Sequence, residues 1–561
     1  MNTSASPASG MPRKETDTPS LSTSNVASIR WLYALIGLMV MIHLSMATGR
    51  SINWDEFWFY SQVEVVARGD FIQPLQTIHT RFFFWLPGMP GSEIDHIMTA
   101  RLFMLACLAI TAGGIYAIAE KHSDHRTALL VTAAYLGAGF VIHHGTSFRV
   151  DPIVTALLTT ALAVAARKKL TLTWIIVIGT LIGFAGMVTI KFVLWAPAFA
   201  GMALWRWQDE GWDVRYPLRW IAAGAVAIVV FAALYTLHSM HAGADMVNQS
   251  AAGTLSRSSN KMFGLFQSPY IFMMAKGALT AMPLAIALLL VPSTVLRLEL
   301  PIWRRIALVA MWFPVLTPLY YHNSAPYVYV FLLPPVAATC AFTIPVLTRR
   351  YGFGLVAAFI ALSAFAVWMV DERGVTKKQA QLIEAVHQIF PEPVHYFDCC
   401  GMVGTFPKAN EFLTSWGTEK YLMTGRPQLL EKMHEVPVPL VVDNNENFSP
   451  LLENDNASRF HPADARALQE NYVHFWGDIY LAGRELEANS TLQWNALVPG
   501  IYSVEGRLSI NGESYGTGDL VTLDRGTQTL ANESDESARL IWGARPRRPE
   551  GAAPELYWTG F

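Results

Sequence analysis

The chain has 561 residues, of which 52% are hydrophobic and only 15% are charged. Soluble proteins carry about a quarter charged residues, so much of the surface of this chain is expected to face lipid. The formal net charge of -2 gives no electrostatic case for a nucleic-acid partner, and four cysteines are too few for a disulfide framework.

The N-terminal segment, residues 1–30, is rich in Ser, Thr, Pro and Ala. This composition predicts a disordered segment, which we assign to the cytoplasmic side. The apolar run that follows has no convincing small-x-small cleavage site, so we expect it to remain as a signal anchor.

About eleven membrane-spanning helices are predicted in residues 31–370, because a bilayer core needs roughly 20 apolar residues per helix. The helices that meet near Lys191, and those that meet near Tyr321, have connections so short that either pair can also be divided differently. The predicted spans are 31–48, 99–119, 127–143, 151–166, 172–189, 191–207, 219–237, 270–296, 306–321, 326–347 and 352–370.

The orientation is predicted from the loops, because Lys and Arg resist translocation. With a cytoplasmic N-terminus, every inside segment is basic, whereas the short outside connections contain almost no Lys or Arg. An odd number of spans then places the chain after about residue 371 outside. The tail has no dense array of Asn-x-Ser/Thr sequons, so we expect a bacterial inner membrane and a periplasmic tail. The inside residues are Arg13, Lys14, Arg30, Lys121, Arg126, Arg167, Lys168, Lys169, Arg206, Arg215, Arg219, Arg297, Arg304, Arg305, Arg349 and Arg350.

Two outside segments are too long to be turns. The first, residues 49–98, is rich in aromatic residues and arginines, which suits helices lying beside lipid headgroups. The second, residues 238–269, looks like a mobile cover over a site. Its polar residues include His238, His241, Asp245, Arg257 and Lys261.

The tail changes character along its length. Residues 371–470 read as an amphipathic helix followed by VHYFD, PQLLEKMHE and VPLVVDN, which predict strand, helix and strand in an α/β connector. Residues 471–561 alternate apolar and polar positions between Pro-Gly and Asn-Gly turns, which is typical of a small β-sandwich or barrel. The predicted fold class is therefore a polytopic α-helical membrane protein with an extracytoplasmic C-terminal α/β plus β-rich domain.

Asp55 and Glu56 lie in the motif NWDEFWFY, just after the first predicted helix and among aromatic residues. Acidic side chains at a bilayer interface cost free energy unless they are paired or used. The alternative is that Asp55 caps the N-terminus of an interfacial helix.

A second polar motif opens the fourth predicted helix. Pro152 suits the first turn of a helix, where its missing N–H does no harm. Asp151 would cap this helix and also face an outside cavity, close to Arg149. His143 and His144 are predicted at the same mouth, which makes a site as plausible as a simple cap.

Further candidates lie at two outside junctions. Lys191 either extends to the headgroups or holds a lipid phosphate as a point charge. Tyr320, Tyr321 and His322 precede the tenth predicted helix, where they form an aromatic belt or contact a phosphate and a sugar.

Together these four segments resemble the C-type glycosyltransferase superfamily, nearest the protein O-mannosyltransferases and the lipid A aminoarabinose transferases. In that branch an acidic motif, often Asp-Glu, opens the first large outside loop, and an Arg-x-Asp or Arg-x-Glu before Pro opens the fourth helix. A Gly-rich helix ends in Lys before a long apolar run, and a Tyr-rich segment precedes a Pro-containing helix. The matching positions are Asp55-Glu56, Arg149-Val-Asp151-Pro152, Lys191 and the segment from Tyr320 to Pro335. The resemblance covers roughly residues 30–370 and does not include the β-rich tail.

The resemblance implies a polyprenyl-phosphate sugar donor and a glycan, lipid or protein acceptor on the outer face of the membrane. Transfer would invert the anomeric carbon, with Asp55 as the base that takes the acceptor proton. A divalent metal is a further source of positive charge, with Asp151 and His143 or His144 as ligands, although several members need none. The implied sites are catalytic Asp55, Glu56 and Asp151, and donor-phosphate-binding Arg149, Lys191, Tyr320, Tyr321 and His322.

Three other functions fit parts of the pattern. A transporter or flippase of a lipid-linked glycan would have inverted repeats and midplane charges, which the sequence lacks. An O-antigen polymerase or ligase would carry its main outside loop late in the chain. A scaffold would bind glycan through tail tryptophans, although core packing explains buried Trp more often. These tryptophans are Trp416, Trp476, Trp494 and Trp542.

Overall fold

The computed structural model describes residues 23–70, 75–240, 264–444 and 460–558. The side chains of residues 23–28 and of Ser415 and Trp416 lie outside this description, as does the glycan-binding role considered for Trp416. Most of the second predicted outside segment, including His241, Asp245, Arg257 and Lys261, also lies outside the described residues.

The first two thirds of the described chain is helical. Five 3₁₀ segments interrupt or join the α-helices: Ile78–Phe82, Leu86–Gly88, Ile190–Trp195, Phe313–Leu319 and Cys340–Phe342. The α-helices are α1 (Thr23–Gly49), α2 (Trp54–Ala67), α3 (Glu93–His122), α4 (His125–Leu136), α5 (Gly139–His144), α6 (Val150–Arg167), α7 (Leu172–Val188), α8 (Ala196–Asp209), α9 (Arg215–Ser239), α10 (Met273–Thr280), α11 (Met282–Arg297), α12 (Ile302–Trp312), α13 (Val328–Thr339), α14 (Ile344–Tyr351) and α15 (Phe353–Met369).

Five of the described helices are long and apolar enough to cross a membrane, and the number reaches seven if two bent pairs each count as one span. The expected count of about eleven is therefore not confirmed, although a membrane-type helical bundle is present. The predicted span 127–143 is divided into α4 and α5 at Gly137, and the predicted span 191–207 into a 3₁₀ segment and α8. An apolar run alone does not reveal such breaks, because the broken pieces are as hydrophobic as an intact span.

Glycines bring two helices of the bundle into close contact. Gly179 and Gly183 in α7 face α9, and a Cβ added at Gly183 would lie 2.4 Å from the carbonyl oxygen of Ala227. Small residues four apart allow helix backbones to approach within a membrane. This contact positions α7 against α9, and α7 ends at Val188, three residues before Lys191.

Charged residues close one end of the bundle, called here the basic end. Asp209, at the end of α8, lies 3.9 Å from Lys121, 3.1 Å from Arg206 and 3.0 Å from Arg304. All of these arginines and lysines were predicted to lie inside. The opposite end of α3, beginning at Glu93, contacts the C-terminal part of the chain, residues 371–558.

The C-terminal part contains two sheets. One has the order β1-β2-β4-β11-β6-β9 with β3 also paired to β4, and the other has the order β5-β10-β7-β8. The β1–β2 pair is parallel and the remaining pairs are antiparallel. The elements are α16 (Val375–Ile389), β1 (Tyr396–Phe397), α17 (Ser415–Thr424), α18 (Gln428–Glu435), β2 (Leu440–Val442), α19 (Pro462–Asn471), β3 (Tyr472–Trp476), β4 (Ile479–Leu486), β5 (Ser490–Ala496), β6 (Gly500–Glu505), β7 (Leu508–Ile510), β8 (Glu513–Tyr515), β9 (Leu520–Leu523), β10 (Gly526–Asn532) and β11 (Ala538–Trp542).

The larger sheet crosses the boundary expected near residue 470. It joins the strands of the α/β connector, β1 and β2, to five strands from the β-rich region. The Asn-Gly turn lies between β7 and β8, where Asn511 and Gly512 have φ of 52° and 89°, as a tight hairpin of this kind requires. Trp476 and Trp494 are buried in the hydrophobic core, so core packing explains them better than glycan stacking does.

The C-terminal part packs directly on α2. Trp58 stacks on Phe412 with ring centroids 4.9 Å apart, and Phe57 meets Trp558 edge-on at 5.8 Å. Gln379 of α16 exchanges two hydrogen bonds with the backbone of Ile52, at 2.9 and 2.8 Å. The helix that carries Asp55 is thus held between the bundle and the C-terminal part.

Candidate functional site

Four charged side chains from three distant segments form one connected set, called here the charge network. Arg149 donates a hydrogen bond to Asp55, and its Nε lies 3.3 Å from Asp151. Lys191 in turn donates to the other oxygen of Asp151. Carboxylates and cations therefore alternate along the order Asp55, Arg149, Asp151, Lys191.

Local sequence fixes each member of the charge network. Asn53, not Asp55, is the N-cap of α2, and its side chain accepts from the Asp55 N–H at 3.0 Å. Arg149 stands at the N-cap position of α6, so Asp151 lies in the first turn and does not cap the helix as expected. Both carboxylates are thereby left to pair with cations. Thr189 caps the segment that carries Lys191.

An aromatic ring covers the two cations. The guanidinium carbon of Arg149 lies 3.5 Å from the ring centroid of Tyr327, and the Lys191 ammonium lies 5.5 Å from the same centroid. Phe59 of α2 lies on the guanidinium at 5.8 Å. These contacts stabilise both positive charges and hold the planar guanidinium of Arg149 in one orientation. Tyr327 belongs to the Tyr-rich segment found in the sequence, but nothing distinguished it there from a membrane aromatic belt.

The charge network is buried and electrically balanced. Asp151 is 1% exposed, whereas the Asp55 side chain is 17% exposed. Buried charges persist only when they are paired, and two carboxylates here meet two cations. Asp55 is the member most accessible from outside, so it is the one that an incoming anion can most readily displace.

Glu56 has different surroundings from Asp55. It is fully buried and forms a two-pronged ion pair with Arg101, at 2.8 and 2.7 Å, while its oxygens also accept from the N–H groups of Phe148 and Asn53. Burial raises the pKa of Glu56, but the charge and hydrogen bonds of Arg101 outweigh burial and leave the pKa below its ordinary value. Glu56 therefore anchors α2 to α3 in its ionised form. Arg101 was missed in the sequence because it lies 45 residues from Glu56 and nothing in the sequence shows that the two meet.

The Tyr-rich segment lies beside the charge network. Tyr321 is buried in the same hydrophobic cluster as Tyr327, whereas Tyr320 shares a hydrogen bond with Thr317 at 3.2 Å and stacks on Phe313. His322 is half-buried in the same connection. These residues thus border the network without joining its ion pairs in the described ranges.

The metal-ligand set expected from the sequence is not assembled. His143 lies 3.9 Å from Asp371, and His144 packs edge-on against Tyr327. Both oxygens of Asp151 are engaged by Arg149 and Lys191. Within the described ranges there is no group of three or more His, Cys, Asp or Glu side chains placed to hold a metal ion.

The segment between α2 and α3, part of the first predicted outside segment, also contacts the elements around the site. His238, at the end of α9, shares a hydrogen bond with Thr77 at 2.9 Å and accepts one from Arg81 at 2.7 Å. Thr189, next to the Lys191 segment, reaches the side chain of Gln76 at 3.4 Å. The segment between α2 and α3, α9 and the Lys191 segment are therefore linked by side-chain contacts.

No protein-family model matches the chain, and no curated protein matches it in sequence. Among solved structures, ArnT from Cupriavidus metallidurans bound to undecaprenyl phosphate has a TM-score of 0.55 at 13% identity, covering 76% of this chain and 95% of that chain. The apo state of ArnT gives a TM-score of 0.54 at 13% identity, with the same coverage of 76% and 95%.

The Archaeoglobus fulgidus oligosaccharyltransferase tethered with an acceptor peptide gives a TM-score of 0.51 at 8% identity, covering 91% of this chain and 96% of that chain. At these identities the likeness concerns the fold. It confirms the expected resemblance to the C-type membrane glycosyltransferases at that level.

Proposed function

We propose that the chain is a membrane glycosyltransferase that moves a sugar from a polyprenyl-phosphate donor to an acceptor on the outer face of the membrane. The observation that carries this proposal is the charge network, in which two cations lie under one aromatic ring beside a partly exposed carboxylate. A solved structure of the same fold contains undecaprenyl phosphate, which supports the donor class.

The donor phosphate would bind to Arg149 and Lys191. Arg149 offers a planar fork of N–H donors and Lys191 a compact charge, and both suit phosphate oxygens. An arriving phosphate would compete with Asp55 for Arg149, because both are anions bound by the same guanidinium. As the sugar leaves, negative charge develops on the phosphate, and the two cations stabilise it.

Asp55, once displaced from Arg149, would act as the base. Its carboxylate takes the proton of an acceptor hydroxyl while that oxygen attacks the anomeric carbon. The bond from this carbon to the phosphate oxygen breaks, and its electron pair stays on the phosphate. Attack from the face opposite the phosphate inverts the anomeric carbon.

The remaining candidates would have supporting roles. Asp151 positions Lys191 and Arg149, since it contacts both. Glu56 holds α2 in place through Arg101. We assign Tyr320, Tyr321 and His322 to the mouth that receives the donor phosphate.

The proposed topology follows from charge. The basic end would face the cytoplasm of a bacterial inner membrane, and the C-terminal part would lie in the periplasm. The acceptor would then be a glycan, lipid or protein reached from that side. The transporter alternative would need charges near the bilayer midplane, whereas the charge network lies at one end of α6.

The test is Asp55→Asn in the full-length protein, after mass spectrometry of the co-purified lipid has identified the carrier and its sugar. We expect turnover to fall at least about 100-fold while donor binding is kept or becomes tighter, because the variant loses the proton acceptor and also the carboxylate that competes with the donor phosphate for Arg149. Asp70→Asn, at an exposed carboxylate just beyond α2, is the matched control and should keep normal turnover. Near-normal turnover in Asp55→Asn would exclude Asp55 as the base.

A further inference from the structure

A groove of about 440 Å³ lies where the helical bundle meets the C-terminal part, and is called here the junction groove. It is bounded by the end of α1, the start of α3, the end of α15 and the start of α16. Its walls combine apolar side chains with three cations. The residues used below are Met46, Met98, Trp368, Arg50, Arg373 and Lys377.

The junction groove lies at the level where the bundle surface changes from apolar to charged. Met41 in α1 is 63% exposed and Val370 after α15 is 78% exposed, as expected for side chains that face lipid. The first charged residues after these two helices are Arg50 and Asp371. The groove therefore opens at the depth of lipid headgroups.

The carboxylates on the groove wall already have partners. Asp371 pairs with Arg50 at 3.2 Å, and Asp95 accepts hydrogen bonds from the N–H and hydroxyl of Ser92 at 2.8 and 2.9 Å. The cations Arg373 and Lys377 are exposed. Within the described ranges neither cation has an ion-pair contact of 4.0 Å or less, although Asp371 is near enough to interact with the charge of Arg373. The net charge offered to a ligand is thus positive.

Trp368 holds a cation, Arg373, at the wall of the groove. The guanidinium carbon of Arg373 lies 4.3 Å from the centroid of the Trp368 ring, and the indole N–H of Trp368 donates to Ser45 at 3.2 Å. Tryptophan with a neighbouring arginine is a common arrangement at the membrane surface. Met98 continues the wall with apolar surface, backed by the buried Met46, which suits the first methylenes of an acyl chain.

We propose that the junction groove binds the headgroup phosphate of an anionic phospholipid. The phosphate contacts Arg373 and Lys377, and the acyl chains run along the exposed faces of α1 and α15. A free phosphate ion would meet only the two cations and would leave the apolar wall uncovered. This site is separate from the charge network and does not depend on the proposed transfer reaction.

The bound lipid would join the membrane to the segment that leads into α2. Arg50 and Arg373 form an antiparallel backbone bridge, and Gln379, two residues after Lys377, holds the backbone of Ile52. Occupation of the groove therefore stabilises the contact between the C-terminal part and the connection from α1 to α2.

The test compares retention of phosphatidylglycerol by the full-length protein and by the double variant Arg373→Gln/Lys377→Gln, using native mass spectrometry from nanodiscs. Each lost charge-assisted contact weakens binding, so the double variant should bind phosphatidylglycerol at least about tenfold more weakly. Lys378→Gln is the matched control, because Lys378 is the next residue but donates to the carbonyl of Glu555 at 2.9 Å. It should stay within about twofold of the original protein.

Unchanged phosphatidylglycerol binding in the double variant, or an equal loss in Lys378→Gln, would overturn the proposal. If the double variant does not fold, each single variant gives the same test with a smaller loss. Competition identifies the ligand: phosphatidylcholine and millimolar inorganic phosphate should not displace phosphatidylglycerol. Displacement by inorganic phosphate would make this an anion site only, and preferential displacement by polyprenyl phosphate would make it a donor site.

Discussion

Two adjacent carboxylates of α2 have different surroundings and serve different purposes. Asp55 and Glu56 are neighbours in α2, yet Asp55 is partly exposed and Glu56 is enclosed by Arg101 and two backbone N–H groups. A carboxylate that satisfies four donors gives a fixed anchor, whereas one with a displaceable partner can change partners during a reaction. The helix can therefore be held firmly by one acid while the adjacent acid remains available.

Glu56→Gln should strongly destabilise the protein. The substitution leaves the buried guanidinium of Arg101 without its counter-charge, which costs about 3–5 kcal/mol. Glu120→Gln is the control, because Glu120 pairs with Arg167 at the exposed basic end and its loss should cost less than about 1 kcal/mol. Unfolding of both variants in detergent would be followed by tryptophan fluorescence. Equal unfolding midpoints for the two variants would contradict the anchoring role.

Much of the site could be predicted at this scale because a charge inside an apolar run stands out. Asp151 and Lys191 were found in this way, and they are in contact. The partner of Glu56 was not predicted, because Arg101 lies 45 residues away and sequence gives no distance between helices. Tyr327 was not singled out, because the sequence does not distinguish a tyrosine whose ring lies over a cation from one whose ring faces lipid headgroups.

Among the helices, the contact between α7 and α9 has the clearest structural consequence for the site. Its glycines allow two apolar helices to touch without a large interlocking side chain. Because Lys191 follows α7 so closely, the separation of these helices also sets the position of its ammonium group. The apolar runs were predictable, whereas their breaks were not, since α4 and α5 depend on packing around Gly137 and Gly139.

Gly183→Ala should push α7 and α9 apart. The new methyl group would lie 2.4 Å from the Ala227 carbonyl oxygen, and overpacking of this kind costs about 1–3 kcal/mol. Gly224→Ala in α9 is the control, since nothing lies within 4 Å of its added Cβ and alanine favours helices. Thermal unfolding measures both. A stability in Gly183→Ala equal to that of Gly224→Ala would show that the backbones are not closely packed.

The contact between α16 and α3 should depend on pH. A hydrogen bond to Glu93 raises the pKa of His387 above its ordinary value, against the effect of burial. The folded state therefore holds this proton more tightly than the unfolded chain does. The resulting stabilisation is fully present below the unfolded pKa of about 6.5 and is lost as pH rises through the raised pKa.

Unfolding temperatures measured between pH 5.5 and 9 would check this expectation. The protein should exceed His387→Gln in stability at the acidic end, and the difference should shrink at the alkaline end. Thr405→Val removes an uncharged contact to the same carboxylate, at 2.6 Å, and should lower stability by a similar amount at every pH. A pH-independent difference for His387→Gln would contradict the assigned ion pair.

Across the whole molecule, the C-terminal part covers the helix that carries the proposed base. Residues far apart in the chain, among them Phe412 and Trp558, pack against the aromatic side chains of α2. The composition shift near residue 371 predicted a separate region, and its helix and strands are present. The seven-stranded sheet that unites this region could not be predicted, because strand order depends on contacts between distant segments.

Trp558→Ala should loosen α2. The ring packs against Phe57 at 5.8 Å and Trp54 at 6.2 Å, so its loss should cost about 1–3 kcal/mol. Faster hydrogen exchange in residues 54–67 would be the direct readout. Trp31→Ala is the control, because Trp31 is 75% exposed on α1 and should leave this exchange unchanged. Unaltered exchange in Trp558→Ala would mean that α2 is held by the bundle alone.

The order of strands in the larger sheet has a consequence for biosynthesis. Strand β4 pairs with β2, which precedes it, and with β11, which the ribosome makes more than fifty residues later. Until β11 and Trp558 have been translated, the sheet has an open edge and α2 lacks part of its aromatic cover. The nascent chain therefore passes through a stage in which this strand edge is exposed. Chaperones that shield exposed strand edges would act during that stage.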